Sequence, residues 1–306
     1  MKGCLDCLPC LARNAIDLAR KSAQGDVALE AEIARSGLDV LGNYAMSGYQ
    51  QPPPCCARRL IDNALAKSGG RVPDPWAMEK RISTELALRV MARLAEVPGW
   101  DPESFESRLR LAVAGNILDF SIYADLDIAA ALDQMSEAFE KPVDRDAVAK
   151  LKSRMDAAKS ILWIFDNCGE AVFDRLLLEP YRDRLTLAVR GKPVFNDLTR
   201  AEMEESGYPE GFAAGGVVSN EDGVPGVVDA TCGAAFRAAF AAADLIVAKG
   251  QANFETMNER TDKPIAFLFL AKCPVVYRAV DARPKTIQVV LHDNYLAYSR
   301  QLTQPE

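Results

Sequence analysis

Histidine is almost missing from this chain: His292 is the single one in 306 residues. Ser-His-Asp and Cys-His machinery both need a committed imidazole, and His-rich zinc sites need several, so the scarcity weighs against all three. Neither G-x-S-x-G nor G-x-G-x-x-G occurs, which moves hydrolase-fold esterases and dinucleotide-dependent enzymes back. An excess of positive charge is lacking as well. With 36 Lys and Arg against 43 Asp and Glu, the net charge is −7 and the pI about 5.1. A protein that coats nucleic acid needs clustered cations in excess, so such a surface is not expected. No run approaches the roughly 20 apolar residues of a membrane span. The opening, "MKGCLDCLPCLARNAIDLARK", carries Asp6 and Arg13 inside its apolar part, unlike a signal peptide. The expectation is a soluble cytoplasmic protein with no nucleic-acid and no membrane partner, its homo-oligomerisation left open.

What is present is an ordinary folded composition, 49% hydrophobic and 26% charged without low-complexity tracts. Eight cysteines in a chain of this length are no disulfide scaffold, and reduced thiols are the default. Up to about residue 155 the pattern is helical. "DVALEAEIARSGLDVLGNYA", "MEKRISTELALRVMARLAEV" and "ESFESRLRLAVAGNILDFSIYA" repeat apolar residues at three and four, with breaks at "GYQQPPPCC", "SGGRVPDPW" and "VPGWDPES". Then short β-rich runs alternate with helices: "ILWIF" (161–165), "LTLAV" (185–189), "GGVVS" (215–219), "DLIVA" (244–248), "IAFLFL" (265–270) and "TIQVVL" (286–291). "EAVFDRLLLEPY", "TRAEMEES", "CGAAFRAAFAA" and "FETMNERT" read as crossover helices. The rhythm predicts an α/β fold: a three-layer, doubly wound, mainly parallel sheet over 156–306, preceded by an all-helical region over 1–155.

In such sheets ligands bind beyond the carboxyl ends of the strands. Asp166-Asn167, Ser219-Asn220, Lys249-Gly250 and Lys272-Cys273 all fall there. Asp166 and Asn167 offer hard oxygen ligands for Mg²⁺ or Mn²⁺; the same pair fits an Asx cap of the helix that begins near Gly169-Glu170. In "RGKPVFNDLTRAE", Thr199 and Glu202 have capping-box spacing, which leaves Asp197 either as a second carboxylate or as a turn residue. Lys249 and Gly250, with Gln251 and Asn253 following, suit an anion site, and a surface lysine at a strand end would look the same. Lys272, embedded in "IAFLFLAKCPVV", implies an anionic partner or a snorkelling side chain. Asn116, Asp119 and Tyr123 line one stripe of an apolar helix, fitting either a site or an interdomain seam. Cys4, Cys7 and Cys10, with Cys55-Cys56, suggest a metal or redox centre but lack a nearby fourth ligand; one helical turn also makes Cys4 and Cys7 plain small apolar neighbours.

Taken together and in this order, "GNILDF", "DNCGE", "RGKPVFNDLT", "LIVAKGQANFE" and "FLAKCP" resemble the metal-dependent damage-control phosphatase family, long catalogued as domain of unknown function 89. The N-terminal Cys-x-x-Cys further resembles its cysteine-bearing prokaryotic subfamily. The resemblance implies a helical region on a three-layer α/β domain, one divalent metal (Mg, Mn, Co or Ni), and removal of phosphate from small phosphorylated metabolites such as sugar phosphates. It implies that Asp166, Asn167 and Asp197 ligate the metal and that Lys272 contacts phosphate. Lys249 to Asn253, with Gly250 and Gln251, then match a substrate loop, and Asn116 and Asp119 a polar helix motif facing the same cavity. Ala252 departs from the family's usual Lys-Gly-Gln-Gly-Asn. In the expected chemistry Asp166 and Lys272 act at the reacting phosphate, with Lys249 or the backbone N–H groups of Gly250 and Gln251 balancing its charge. Two rivals stand beside this reading: an S-adenosylmethionine-dependent carboxyl methyltransferase, and a non-enzymatic metal or redox sensor built on Cys4, Cys7 and Cys10.

Overall fold

The computed structural model describes residues 1–116, 128–260, 262–284 and 286–292. Seven α-helices precede the sheet among the described residues: α1 (Leu8–Ala23), α2 (Val27–Met46), α3 (Pro53–Lys67), α4 (Ala77–Met91), α5 (Phe105–Ala114), α6 (Ile128–Glu140) and α7 (Arg145–Ala157). Their starts follow local chemistry. Asp26, Ser104 and Asp144 each accept a backbone N–H three residues on, and Pro53 and Pro54 open α3 where no N–H is needed. There follow β1 (Ile161–Ile164), α8 (Cys168–Leu178), β2 (Leu185–Val189), β3 (Val217–Ser219), α9 (Ala234–Ala242), β4 (Leu245–Lys249), α10 (Gln251–Met257), β5 (Ile265–Leu270), α11 (Pro274–Ala279) and β6 (Ile287–Leu291).

The sheet order is β3-β2-β1-β4-β5-β6, with β1 to β5 parallel and β6 antiparallel to β5 in a register that sets Leu268 opposite Val289. Helices cover both faces, which is why the central strands read as unbroken apolar runs. Ile161, Trp163 and Phe165 point into a core shared with Leu109 of α5, Leu151 of α7 and Leu177 of α8. Leu162 and Ile164 point the other way, onto Phe236 and Phe240 of α9 and Phe254 and Met257 of α10. These are the three expected layers. Helices α1 to α3 pack around Leu11, Leu18, Ile33, Leu60 and Ile61, and this cluster also takes in Val194 from the loop after β2. Because α5 shares the sheet's own core, its carboxyl end delivers Asn116 to the sheet edge.

Two expected elements come out shorter. The run 215–219 pairs only from Val217, because Gly216 takes a left-handed φ of +68° that a strand does not use. The expected crossover helix "TRAEMEES" reduces to a 3-10 turn at Arg200–Glu202, capped by Thr199 and Glu202 as the capping-box spacing foretold. Gly207, with φ +91°, closes the turns that follow this 3-10 turn.

Candidate active site

The chain leaves β1 toward β2 on one side and is bordered by β4 on the other, so the crevice of this sheet opens at the carboxyl ends of β1 and β4. Asp166 and Asn167 follow β1 there, Gly250 follows β4, and the loop after β2 folds back over both. Leu198 donates its N–H to the Asp166 carbonyl at 2.7 Å and Cys168 to the Asn196 carbonyl at 2.9 Å, making an antiparallel bridge between Asn167 and Asp197. Asn167 and Asp197, 30 positions apart in sequence, thus stand side by side. Both carboxylates are almost closed to solvent, Asp166 at 9% and Asp197 at 3% exposure.

Asn167 does hold the N-cap position of α8, yet its side chain makes no capping bond. Its Nδ2 instead donates to Asp166 Oδ2 at 3.1 Å, which leaves its side-chain Oδ1 for another partner. Asn116 Nδ2 donates to the same Asp166 oxygen at 3.2 Å and to Glu170 Oε2 at 3.1 Å. With Oδ2 so occupied, Asp166 Oδ1 is the oxygen left over. Gly250 sets the far wall. Its φ of +82° and ψ of 153° belong to glycine, and a Cβ there would overlap the Asp166 carboxylate.

Arg190 is a residue that sequence reasoning passed over, although it directly follows the apolar run of β2 and meets the same strand-end criterion. Its side chain is 2% exposed. Nε donates to Asp197 Oδ2 at 2.7 Å, and Nη1 to the Gly226 carbonyl at 2.9 Å and Asn253 Oδ1 at 3.3 Å. Nη2 has no hydrogen-bond acceptor among the described residues and lies 3.9 Å from Asp166 Oδ1. Asn253 is fully buried and also donates to the Lys249 carbonyl at 2.6 Å, so it fastens the end of β4.

Lys249 faces away from where a substrate loop would need it. Its side chain is completely buried, with Nζ 2.7 Å from Glu170 Oε1, 2.6 Å from Asp174 Oδ1 and 3.0 Å from the Ala112 carbonyl. Glu170 and Asp174, one turn apart on α8, neutralise it from beneath, and Trp163 Nε1 donates to Asp174 at 3.3 Å. Gly250 departs from expectation too: its N–H is spent on the Leu268 carbonyl at 2.9 Å and is not free for an anion. Lys272, in contrast, is exposed, and its ammonium bonds Asn116 Oδ1. Gln251 holds the Lys272 backbone N–H at 3.0 Å. Asp119 lies outside the described residues.

Burial dominates the electrostatics. It pushes the Asp197 carboxyl up to about 7, with Arg190 opposing and the Asp166 charge adding to the rise. Burial also raises Glu170 and Asp174, against the pull of Lys249. When all are ionised, four carboxylates (Asp166, Asp197, Glu170, Asp174) face one guanidinium and one ammonium. The spare oxygens of Asp166 and Asn167 beside Asp197 make a hard donor set for a divalent cation. The residues fit such an ion. Among the described residues, no group of three or more His, Cys, Asp and Glu side chains is placed to hold a metal. The set here is two carboxylates and an amide, and Cys4, Cys7 and Cys10 do not form such a group either.

Comparison with known proteins identifies the family. The family model of the damage-control phosphatase ARMT1-like domain matches residues 4–286. The damage-control phosphatase PH1575 of Pyrococcus horikoshii is 30% identical over 301 residues, covering 96% of this chain and 99% of that protein. A damage-control phosphatase of Archaeoglobus fulgidus is 28% identical over 214 residues, 68% of this chain and 73% of its own. The crystal structure of the Pyrococcus horikoshii protein, described as a DUF89 family member, superposes with a TM-score of 0.80 at 27% identity, covering 95% of this chain and 99% of that one. These matches favour the phosphatase reading over the methyltransferase and sensor alternatives. The chain belongs to the ARMT1-like damage-control phosphatase family and is a phosphatase.

Proposed function

We propose that this phosphatase is metal-dependent and hydrolyses phosphate monoesters of small, damaged or surplus metabolites such as sugar phosphates, in the cytoplasm where such esters are made. The observation that carries the reading is the convergence of Asp166, Asn167 and Asp197 at the switch point of the sheet, within one hydrogen-bonded chain of Lys272. Asp166, Asn167 and Asp197 would hold Mg²⁺, Mn²⁺, Co²⁺ or Ni²⁺, which when bound supplies Lewis acidity at a phosphoryl oxygen.

The remaining work falls to the protein's own groups. Asn116 clamps Asp166 Oδ2 and so fixes which carboxylate oxygen points into the crevice. Arg190 does the same for Asp197, from below, and keeps water away because it is buried. Lys272 swings its ammonium from Asn116 Oδ1 to a non-bridging phosphate oxygen, where it offsets the negative charge that attack would otherwise have to approach. Gln251 holds the Lys272 backbone while the side chain moves. Glu170, anchored by Lys249, fixes the Asn116 amide, so a rigid core supports the mobile lysine.

The test is an assay with p-nitrophenyl phosphate and a panel of sugar phosphates across Mg²⁺, Mn²⁺, Co²⁺ and Ni²⁺. Turnover should appear with at least one metal and vanish with chelator. Asp166→Ala and Asp197→Ala should each remove it, and unchanged activity in both would defeat the proposal.

A further inference from the structure

Several cysteines stand outside the site just described yet sit against the elements that carry Lys272. The chain opens with a 3-10 turn at Leu5–Cys7, preceded by Cys4 in an extended conformation (φ −154°, ψ 179°). Cys4 Sγ lies 3.9 Å from Cys7 Sγ. Cys7 is buried in the cluster of α1 to α3, while Cys4 is partly exposed at its edge. The turn is gripped on two sides. On one, the Gly3 N–H donates to the Tyr49 carbonyl at 3.2 Å, and no Cβ would fit at Gly3 because the Tyr44 hydroxyl fills the space. On the other, Arg278 of α11 donates to Asp6 at 2.6 Å. Helix α11 is capped by Cys273, the residue after Lys272, and Gln251 spans this junction: its oxygen takes the Lys272 N–H at 3.0 Å and its Nε2 reaches Cys273 Sγ at 3.6 Å.

We propose that Cys4 and Cys7 are a redox-active dithiol, closed to a disulfide by a low-molecular-weight disulfide, and that closure shifts α11 and the attached Lys272 so that the enzyme binds phosphate ester more weakly. The second half rests on the phosphatase reading above. Bonded sulfurs stand about 2.05 Å apart, so the pair must approach by nearly 2 Å, which rotation at the extended Cys4 and a shift of the turn can supply. Asp6, two residues on, moves with the turn and draws Arg278.

The chemistry is thiol–disulfide exchange. The Cys4 thiolate attacks one sulfur of the small disulfide; that S–S bond breaks and one thiolate leaves. Cys7 releases its proton to solvent and attacks the Cys4 sulfur of the mixed disulfide, expelling the second thiolate. Two protein thiols are oxidised, one small disulfide is reduced to two thiols, and the protein loses two hydrogens. Cys4 is the more accessible of the two sulfurs and so meets the small disulfide first, while burial raises the Cys7 thiol.

The experiment equilibrates the full chain in buffers of oxidised and reduced glutathione, traps free thiols with N-ethylmaleimide and maps peptides by mass. The expected result is a Cys4–Cys7 cross-linked peptide two hydrogens lighter, its fraction following the glutathione ratio. Oxidised protein should show KM for p-nitrophenyl phosphate raised about two- to fivefold, the worth of one exposed charge contact, with kcat less affected. Cys4→Ser should form no cross-link and keep one KM across all buffers. Hydrogen exchange at 271–279 should quicken on oxidation. Mass and exchange need no turnover, so they decide the thiol chemistry even where phosphatase activity fails. A pair that stays reduced in oxidised glutathione while the circular dichroism stays native overturns the proposal. So does a disulfide that leaves both KM and exchange at the Cys4→Ser values.

Discussion

Replacing Gly250 by alanine tests the site's geometry with one methyl group. Gly250 sits at φ +82° and ψ 153°, a region that L side chains avoid, and occupying it costs of the order of 1–3 kcal/mol of stability. The new Cβ would also stand well inside 3.0 Å of the Asp166 carboxyl group, closer than Cβ atoms tolerate. Relieving the overlap shifts that carboxylate by about 1 Å, and a misplacement on that scale costs about a hundredfold in rate. A control separates the two effects: Gly211 has nearly the same φ, +80°, with nothing within 4 Å of its would-be Cβ. Gly211→Ala should lose some stability to its positive φ and keep its activity. The assay is kcat/KM on p-nitrophenyl phosphate at saturating Mn²⁺, beside the thermal midpoint of each variant. Activity of Gly250→Ala within about threefold of Gly211→Ala would refute the claim that Asp166's position is what this glycine protects.

Three further outcomes follow from the buried charges. Lys249→Met strands Glu170 and Asp174 in the core, and urea unfolding should show a loss of about 3–5 kcal/mol, whereas a loss below about 1 kcal/mol would mean the carboxylates need no counter-charge. Asp197, raised by burial from 3.8 to about 7, should make the metal-free protein lose stability as pH climbs from about 4 through about 7, since the folded state prefers this carboxyl protonated. Metal binding needs it ionised, so Mn²⁺ affinity should rise with pH up to about 7 and then level off, with proton release on binding below that point. Calorimetry in two buffers of different ionisation enthalpy reads both the affinity and the protons. A pH-independent affinity would count against Asp197 as a ligand.

Much of the fold was legible because burial on two faces leaves a plain mark. "ILWIF", "LTLAV" and "IAFLFL" read as strands, and β2 and β5 match the expected ranges residue for residue, because a parallel sheet covered by helices leaves near-continuous apolar runs. The shortened β3 traces to Gly216, whose φ no composition reveals. The site was partly legible for the same reason: a polar pair at the end of a buried strand is conspicuous, and Asp166-Asn167 sits there. Arg190 was as visible, at the end of β2, but a lone arginine after a strand carries no spacing signal.

The sequence by itself determined which segments are helix and which are strand, and that polar groups gather at one edge of a parallel sheet, because periodicity and burial act locally along the chain. Only the tertiary structure decided which polar groups face the crevice. Lys249 and Lys272 both end or follow apolar strands, yet Lys249 is pulled inward by Glu170 and Asp174 while Lys272 stays at the surface beside Asn116. That choice depends on where α8 and α5 pack, and long-range packing sets which charges a lysine meets.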